Sequence, residues 1–439
     1  MARYNEYKDS GIPWIGEIPS HWNRAITKFF FYLKGRIGWQ GLKADEFIDE
    51  GPFLITGTDF ENGRVIWDRC YHISEERYKE APEIHVKDGD LLITKDGTVG
   101  KLAYIDKAPK QASLNSHLLI MRNLKPSLIY TKYLFWYISS KMFEVYTDIS
   151  QRGSIMASLS QEKIGNFSFP LPPFKEQKAI SLFLDVECAR IDTIISKQDK
   201  RVKLLYELRQ SVICQAITKG INEDASMKDS GITWIGKMPS SWSLWKSSHL
   251  FAGIGSGTTP PSGDPSYYDD NGYNWLQTGD LNDGYIVETS RRVSEKAVKE
   301  KNLRFYPHNS VVIAMYGATI GKVGILAIET CTNQACCVLP PSKKVLPKFA
   351  YYHFLAAKQS LITQAAGGGQ PNISQDIIRR HKIPIPASLE EQKGIVDYID
   401  ERIRSFDNAI SKANHQIDLL REYKQSLITE VVTGKRKVC

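Results

Sequence analysis

The chain has 439 residues, 42% of them hydrophobic and 24% charged, and a net charge of +8. That length argues for two or more domains, in the composition range of ordinary globular proteins, and the mild basic excess is compatible with a phosphate-bearing partner without pointing to one. No apolar run approaches the ~20 residues that span a bilayer, and the opening Met-Ala-Arg-Tyr-Asn-Glu has no apolar signal-peptide core, so a cytoplasmic location is expected.

The first feature along the chain is KDSGIPWIGEIPSHW at 8–22, which returns as KDSGITWIGKMPSSW at 228–242, eleven of fifteen positions identical at an offset of 220 residues. TDFENGRVI (58–66) parallels GDLNDGYIV (279–287), and GTVGK (97–101) parallels GATIGK (317–322). Asn115, in SLNSH, stands where Asn333 stands in CTNQA. Two repeats of this length are too few and too long for a solenoid; they indicate one duplicated module with internal pseudo-twofold symmetry. GDLLITKDGTVGKLAYI and SVVIAMYGATIGKVGILAI show short apolar runs punctuated by glycine, the grammar of hairpins. Ser160-Gln-Glu and Ser374-Gln-Asp read as helix N-caps with an acid in the first turn. Each variable region is therefore expected to be a mixed α+β domain.

Prolines at 170, 172 and 173, and at 384 and 386, mark the entrance to a helical region in each copy. KEQKAI (175–180) returns as EEQKGI (390–395), and LLYELRQSVICQAITKG (204–220) as LLREYKQSLITEVVTGK (419–435). From Cys188 an alternating three-four spacing runs through Ile191, Ile195, Gln198, Val202, Leu205, Arg209, Val212 and Ala216. In the second copy it runs through Ile403, Phe406, Ile410, Ala413, Ile417, Leu420, Lys424, Leu427 and Val431. This is coiled-coil periodicity, with Gln198, Arg209 and Lys424 as polar seam residues able to fix register. The two stripes are expected to pair with each other as a rod of about 45 Å, from Cys188 to Thr218. The expected divisions are 1–170 and 221–383 for the mixed domains, and 171–220 and 384–439 for the helical regions.

Catalytic motifs are missing. Seven cysteines form no CxxC pair and nine histidines form no HExxH, which reads as thiols of a reducing compartment and no structural zinc. GTVGK and GATIGK fail the GxxxxGK[ST] spacing of a phosphate-binding loop, so their glycines read as turn residues. In LPPF, Leu171 cannot supply the hydrogen-bonding side chain of an amino-methylating signature. Glu176-Gln-Lys178 reads as a helix-start acid rather than a nuclease motif. The chain itself is expected to catalyse nothing.

The doubled SGIxWIGxxPxxW, each followed by a variable region, PxPxxxEQ and LLxExxQSxIxxxVTGK, resembles the DNA-specificity subunit of Type I restriction-modification enzymes over essentially the whole chain. The second copy departs by one extra residue, PIPASLEEQ against PLPPFKEQ. The resemblance implies two target-recognition domains, each reading half of a split sequence in double-stranded DNA, separated by two long helical regions forming an antiparallel coiled coil. It also implies two modification subunits using S-adenosylmethionine, and restriction subunits using ATP and Mg. A stand-alone bipartite DNA-binding regulator is the alternative. Base reading calls for polar side chains on loops with basic residues on phosphates. The candidates are Lys95, Thr98, Lys101, Asn115, Ser116 and Arg152 in the first half, and Tyr316, Thr319, Lys322, Asn333, Gln334, Gln370 and Asn372 in the second. Since both halves share Lys101/Lys322 and Asn115/Asn333, these serve either as DNA contacts or as frame. Trp14, Trp22, Trp234 and Trp242 fit packing anchors, with a docking surface for modification subunits as the other reading.

Overall fold

The computed structural model describes residues 3–36, 42, 44–151, 159–365 and 372–438. Two compact units emerge from its contacts: Met1–Asp199 with Asn414–Cys439, and Lys200–Ala413. Both long helices are divided midway between the two units, because each half-helix packs onto the core of its own unit.

In the first unit the central sheet has strand order Leu102–Tyr104, Leu91–Thr94, Leu118–Asn123 and Phe31–Gly35, antiparallel throughout. Its apolar runs are continuous because both faces are covered. Leu91, Ile93, Leu119 and Met121 enter one core with the helix Thr131–Ile138, whereas Leu92, Leu118 and Ile120 enter a second core on the other face. That second core is closed by a sheet in which Ala112–Leu114 runs parallel to Ile48–Ile55, with Tyr71–His72 antiparallel on its far side. The second unit repeats the plan. Val311–Ala314 lies between Val323–Leu326 and Cys336–Leu339, with Val311, Ile313, Cys337 and Leu339 in one core and Val312, Ala314, Cys336 and Val338 in another. The period-two alternation of strand side chains thus divides each run between two cores. All the described cysteines are free, and burial raises the thiols of Cys188, Cys331 and Cys337 to about 12.

The repeated motif of each half folds as a tight hairpin, Tyr7–Asp9 with Glu17–Pro19 and Met227–Asp229 with Lys237–Pro239. Ser10 Oγ accepts the Ile12 N–H at 3.0 Å and Ser230 Oγ the Ile232 N–H at 3.1 Å. Trp22 and Trp242 are fully buried, while Trp14 stacks on Phe167 and Trp234 on His381. The hairpins seat against helix ends. Gly434 approaches Pro19 and Trp22 so closely that a Cβ would stand 2.3 Å from Pro19 Cδ, and Gly220 sits against Trp242 and Pro239. Both glycines have left-handed backbone, φ +73° and +75°, the usual ending of a helix. Tyr7 Oη donates to Gly434 O at 3.0 Å, and Lys437 lies over the Tyr4 ring at 5.8 Å, so both chain ends meet within the first unit.

The long helices are Phe174–Lys219 (46 residues) and Leu389–Val432 (44 residues). The first begins fourteen residues before Cys188, directly after Pro173, and spans about 69 Å at ~1.5 Å per residue rather than 45 Å. Its first turns escape a seam reading because they are buried on the unit's own core through Gln177, Ile180, Ser181 and Leu184. The seam positions Ile191, Ile410, Ile417 and Leu427 are buried and Ile195, Val202, Leu205, Val212, Ile403, Phe406 and Leu420 half-buried. In the first unit Lys424 Nζ pairs with Asp192 at 2.7 Å and Gln198 Nε2 donates to Gln416 Oε1 at 3.4 Å, an antiparallel register. In the second, Arg209 Nε pairs with Asp407 at 3.2 Å. The polar seam residues thus lock each unit's half-helices together.

Candidate nucleic-acid interface

In the first unit the loop 95–101 closes the hairpin between Leu91–Thr94 and Leu102–Tyr104. Thr94 N–H donates to Lys101 O, and Gly100 N–H to Thr94 O, both at 2.9 Å. Gly97 and Gly100 take φ +71° and +86°, backbone that a Cβ disfavours. Lys95 ties this loop to two others: its N–H donates to His117 O at 2.9 Å, and its carbonyl accepts Leu159 N–H at 2.8 Å. Asn115 forms a side-chain turn in which Oδ1 accepts the His117 N–H at 3.0 Å, while its own N–H donates to Ile55 O at 3.0 Å. Ile55 leads into a turn capped by Asp59, whose Oδ2 accepts the Thr56 N–H at 2.6 Å.

The second unit builds the same lattice. Ala314 N–H donates to Lys322 O at 2.9 Å, Gly321 N–H to Ala314 O at 2.9 Å, Met315 N–H to Ala335 O at 2.8 Å and Ile373 N–H to Met315 O at 2.8 Å. Asn333 Oδ1 accepts the Ala335 N–H at 3.1 Å, Asn333 N–H donates to Leu276 O at 3.0 Å, and Asp280 Oδ2 accepts the Gln277 N–H at 2.9 Å. Gly317 and Gly321 are again left-handed, φ +82° and +73°. Four segments therefore converge in each unit, held by backbone bonds that leave the intervening side chains to vary.

Within this lattice Lys95, Asn115 and Ser116 are half-buried and Thr98 and Lys101 exposed; Tyr316, Thr319, Lys322 and Asn333 are half-buried and Gln334 and Asn372 exposed. Arg152 and Gln370 lie outside the described residues. One lone pair on the side-chain oxygen of Asn115 and of Asn333 is taken by its own turn, a contact that belongs to the frame. Lys101 and Lys322 complete their hairpins through backbone atoms, and Lys101 also lines a cleft of about 860 Å³ with Arg64, Lys132, Trp136 and Asp185. Lys95 Nζ and His117 Nδ1 lie 4.0 and 3.5 Å from Asp96. Sequence reasoning missed Thr259, whose hydroxyl donates to Gln334 Oε1. Its signal was the Gly-Thr-Thr-Pro-Pro stretch at 257–261, where a glycine and two prolines mark a loop.

Behind each lattice a repeated set of contacts fixes the unit to its long helices. Asp185 accepts Trp136 Nε1–H at 3.1 Å and pairs with Lys132 at 2.8 Å; Asp400 accepts Tyr352 Oη–H and Lys348 Nζ, each at 2.5 Å. Gln177, the glutamine of the first Glu-Gln motif, is fully buried. Its Oε1 accepts the Tyr130 N–H at 2.8 Å, and its Nε2 donates to Leu128 O at 3.1 Å and Pro172 O at 2.8 Å. Gln392 does the same with Leu346 N–H and Lys344 O, both at 2.9 Å. Among the described residues, no group of three or more His, Cys, Asp or Glu is placed to hold a metal ion, and no helix is long and apolar enough to cross a membrane.

The chain is thus a duplicated α+β unit in which differing side chains stand on a repeated turn frame tied to a pair of long helices. The chain belongs to the Type I restriction-modification DNA specificity family: the model of the Type I restriction modification DNA specificity domain matches it twice, over residues 39–204 and 243–418. It is 24% identical over 434 residues to the putative type I restriction enzyme MjaX specificity subunit of Methanocaldococcus jannaschii, covering 97% of this chain and 96% of that one. It is 18% identical over 443 residues to the EcoKI specificity subunit of Escherichia coli K12, covering 96% and 90%. Among solved structures, a chain from a study of complex assembly and conformational transition of the type I R-M system superposes with a TM-score of 0.74 at 15% identity, over 95% of this chain and 99% of that one. The HsdS subunit of Thermoanaerobacter tengcongensis gives a TM-score of 0.55 at 16% identity, over 95% and 98%.

Proposed function

We propose that each unit reads one half of a split sequence in double-stranded DNA, and that the chain carries two modification subunits and, with them, restriction subunits. The observation that carries this reading is the doubled hydrogen-bond lattice, which is conserved between the halves while the side chains mounted on it differ. Such a design holds geometry constant and lets specificity vary. The chemistry belongs to the partners, with S-adenosylmethionine, ATP and Mg bound there and none in this chain. Paired patches support two copies of one partner. Leu204 and Leu208 on the first long helix, and Leu419 and Tyr423 on the second, are 58%, 53%, 50% and 47% exposed. They stand at matching positions of the repeat, one helical turn apart on one face.

Replacing residues 243–374 with the equivalent stretch of another family member tests the reading. Mapping of methylated bases is expected to show a change in one half of the target only. A change in both halves overturns independent reading, and specific binding without any modification partner would point to a regulator instead.

A further inference from the structure

We propose that Gln334 is a specificity-determining residue of the second unit that reads an adenine in the major groove, oriented by Thr259. This rests on the DNA-reading function above and assigns the chemistry of one position in it. The argument begins with the turn that both units share. Asn115 and Asn333 close the same ring, side-chain oxygen to the N–H two residues on, at 3.0 and 3.1 Å. The residue enclosed by that ring differs between the units: a half-buried Ser116 in one, an exposed Gln334 in the other. A short hydroxyl discriminates weakly between bases, whereas a primary amide matches adenine with two bonds, accepting from N6 and donating to N7.

Gln334 is exposed, and a free glutamine would lose much of that advantage to rotamer freedom. Here the Thr259 hydroxyl donates to Gln334 Oε1. An amide oxygen has two lone pairs, so one remains for adenine N6 and the whole NH₂ group for N7. Thr259 is itself anchored. On one side Gly257 N–H donates to Asn333 O at 3.2 Å and Thr258 N–H to Thr332 O at 3.0 Å. A Cβ on Gly257 would lie 1.7 Å from Thr332 O, so only glycine permits this approach. On the other side Trp275 Nε1–H donates to Thr258 O at 3.2 Å and Tyr268 Oη–H to Pro260 O at 2.9 Å. The loop that carries the orienting hydroxyl is thus fastened to the same turn that carries the amide, which is the preorganisation a base-reading contact needs.

The test uses the full chain together with its modification subunits and a library of duplexes with randomised positions, read by sequencing of the bound fraction. Wild type is expected to prefer A·T at one position of the half-site read by the second unit. Gln334→Ser is expected to lower that preference roughly 5- to 150-fold, the span of one bidentate base contact, with every other position unchanged. Gln334→Glu keeps the length and removes the donor, and it is expected to move the preference at that position from adenine toward cytosine. Thr259→Val is expected to relax the same position by a smaller factor, and Thr259→Ser to restore it. An unaltered profile in Gln334→Ser, or weaker binding spread evenly over all positions, overturns the assignment while leaving DNA reading intact. No sequence preference in the wild-type arm overturns DNA reading itself.

Discussion

Gln177→Ala removes a side chain that no solvent reaches and that satisfies three backbone groups at once, the Tyr130 N–H and the carbonyls of Leu128 and Pro172. Each bond is worth about 1 kcal/mol net, and each buried group left without a partner costs about 1–3 kcal/mol. With the Pro172 bond fully buried and the other two partly so, the expected loss is about 3–5 kcal/mol. Gln177→Glu is expected to do no better, because a carboxylate keeps the Tyr130 bond but turns negative charge toward two carbonyls. Since two units share the chain, a single unfolding midpoint is not a clean measure. Amide hydrogen exchange resolves the effect, with the Tyr130 amide losing protection by roughly 100-fold or more for 3 kcal/mol. The equivalent change at Gln392 is expected to expose the Leu346 amide and leave Tyr130 unchanged. A Tyr130 amide as protected in Gln177→Ala as in wild type refutes the role given to the Glu-Gln motif.

Three further outcomes are expected. Gly434→Ala and Gly220→Ala share the cost of left-handed backbone, about 1–2 kcal/mol, but a Cβ at 434 stands 2.3 Å from Pro19 Cδ whereas one at 220 comes no nearer than 3.3 Å, to Trp242 Cζ2; amide hydrogen exchange in the two hairpins should rank Gly434→Ala as clearly the worse. Burial lowers His381 to about 4 and, with His381 beside it at 2.9 Å, holds His353 well below the ordinary imidazole value. Between about pH 6.5 and 4 the unfolded chain therefore binds protons that the folded one refuses, and the second unit should lose stability as pH falls through that window. Replacing the pair with tyrosine and phenylalanine, which Tyr137 and Phe167 supply around Trp14 in the first unit, should flatten the acid limb followed by tryptophan fluorescence. Finally, joining residue 439 to residue 1 by a short flexible linker and opening the chain between Gly220 and Lys228 should give a folded protein by circular dichroism, since Tyr4 and Lys437 already meet. Loss of cooperative unfolding in that permuted chain counts against the shared docking of hairpin and helix end.

The repeat and the helix seam were legible because they follow periodicities that backbone geometry imposes: Ile191, Ile410 and Leu427 fall on the interval that returns a side chain to one face. The turn glycines were legible for a similar reason, as Gly97 and Gly317 sit where hairpins demand positive φ. The start of the first long helix was not, because Gln177 and Ser181 are polar yet buried and break the apolar pattern there. Nor could sequence separate frame from reading surface at Asn115 and Asn333, since whether an amide oxygen faces its own backbone or a partner depends on the turn around it. Thr259 was invisible as a partner of Gln334 because 75 residues separate them.

The first unit is closed by a segment that follows the whole of the second unit in the chain. Cys188 and Ile191 share their core with Leu427, Ile428, Val431 and Val432, while the second unit uses only Lys200–Ala413, one unbroken stretch. During synthesis at about 5–20 residues per second, the first unit emerges early and then waits on the order of ten seconds or more for its last helical wall. The unit translated second has all its parts first. A ribosome stalled between residues 200 and 414 would hold out an apolar strip where Leu427 and Val431 belong, a surface on which nascent-chain chaperones would be expected to act. A stop codon directly after residue 413 should accordingly spare the second unit and deny the first its closure.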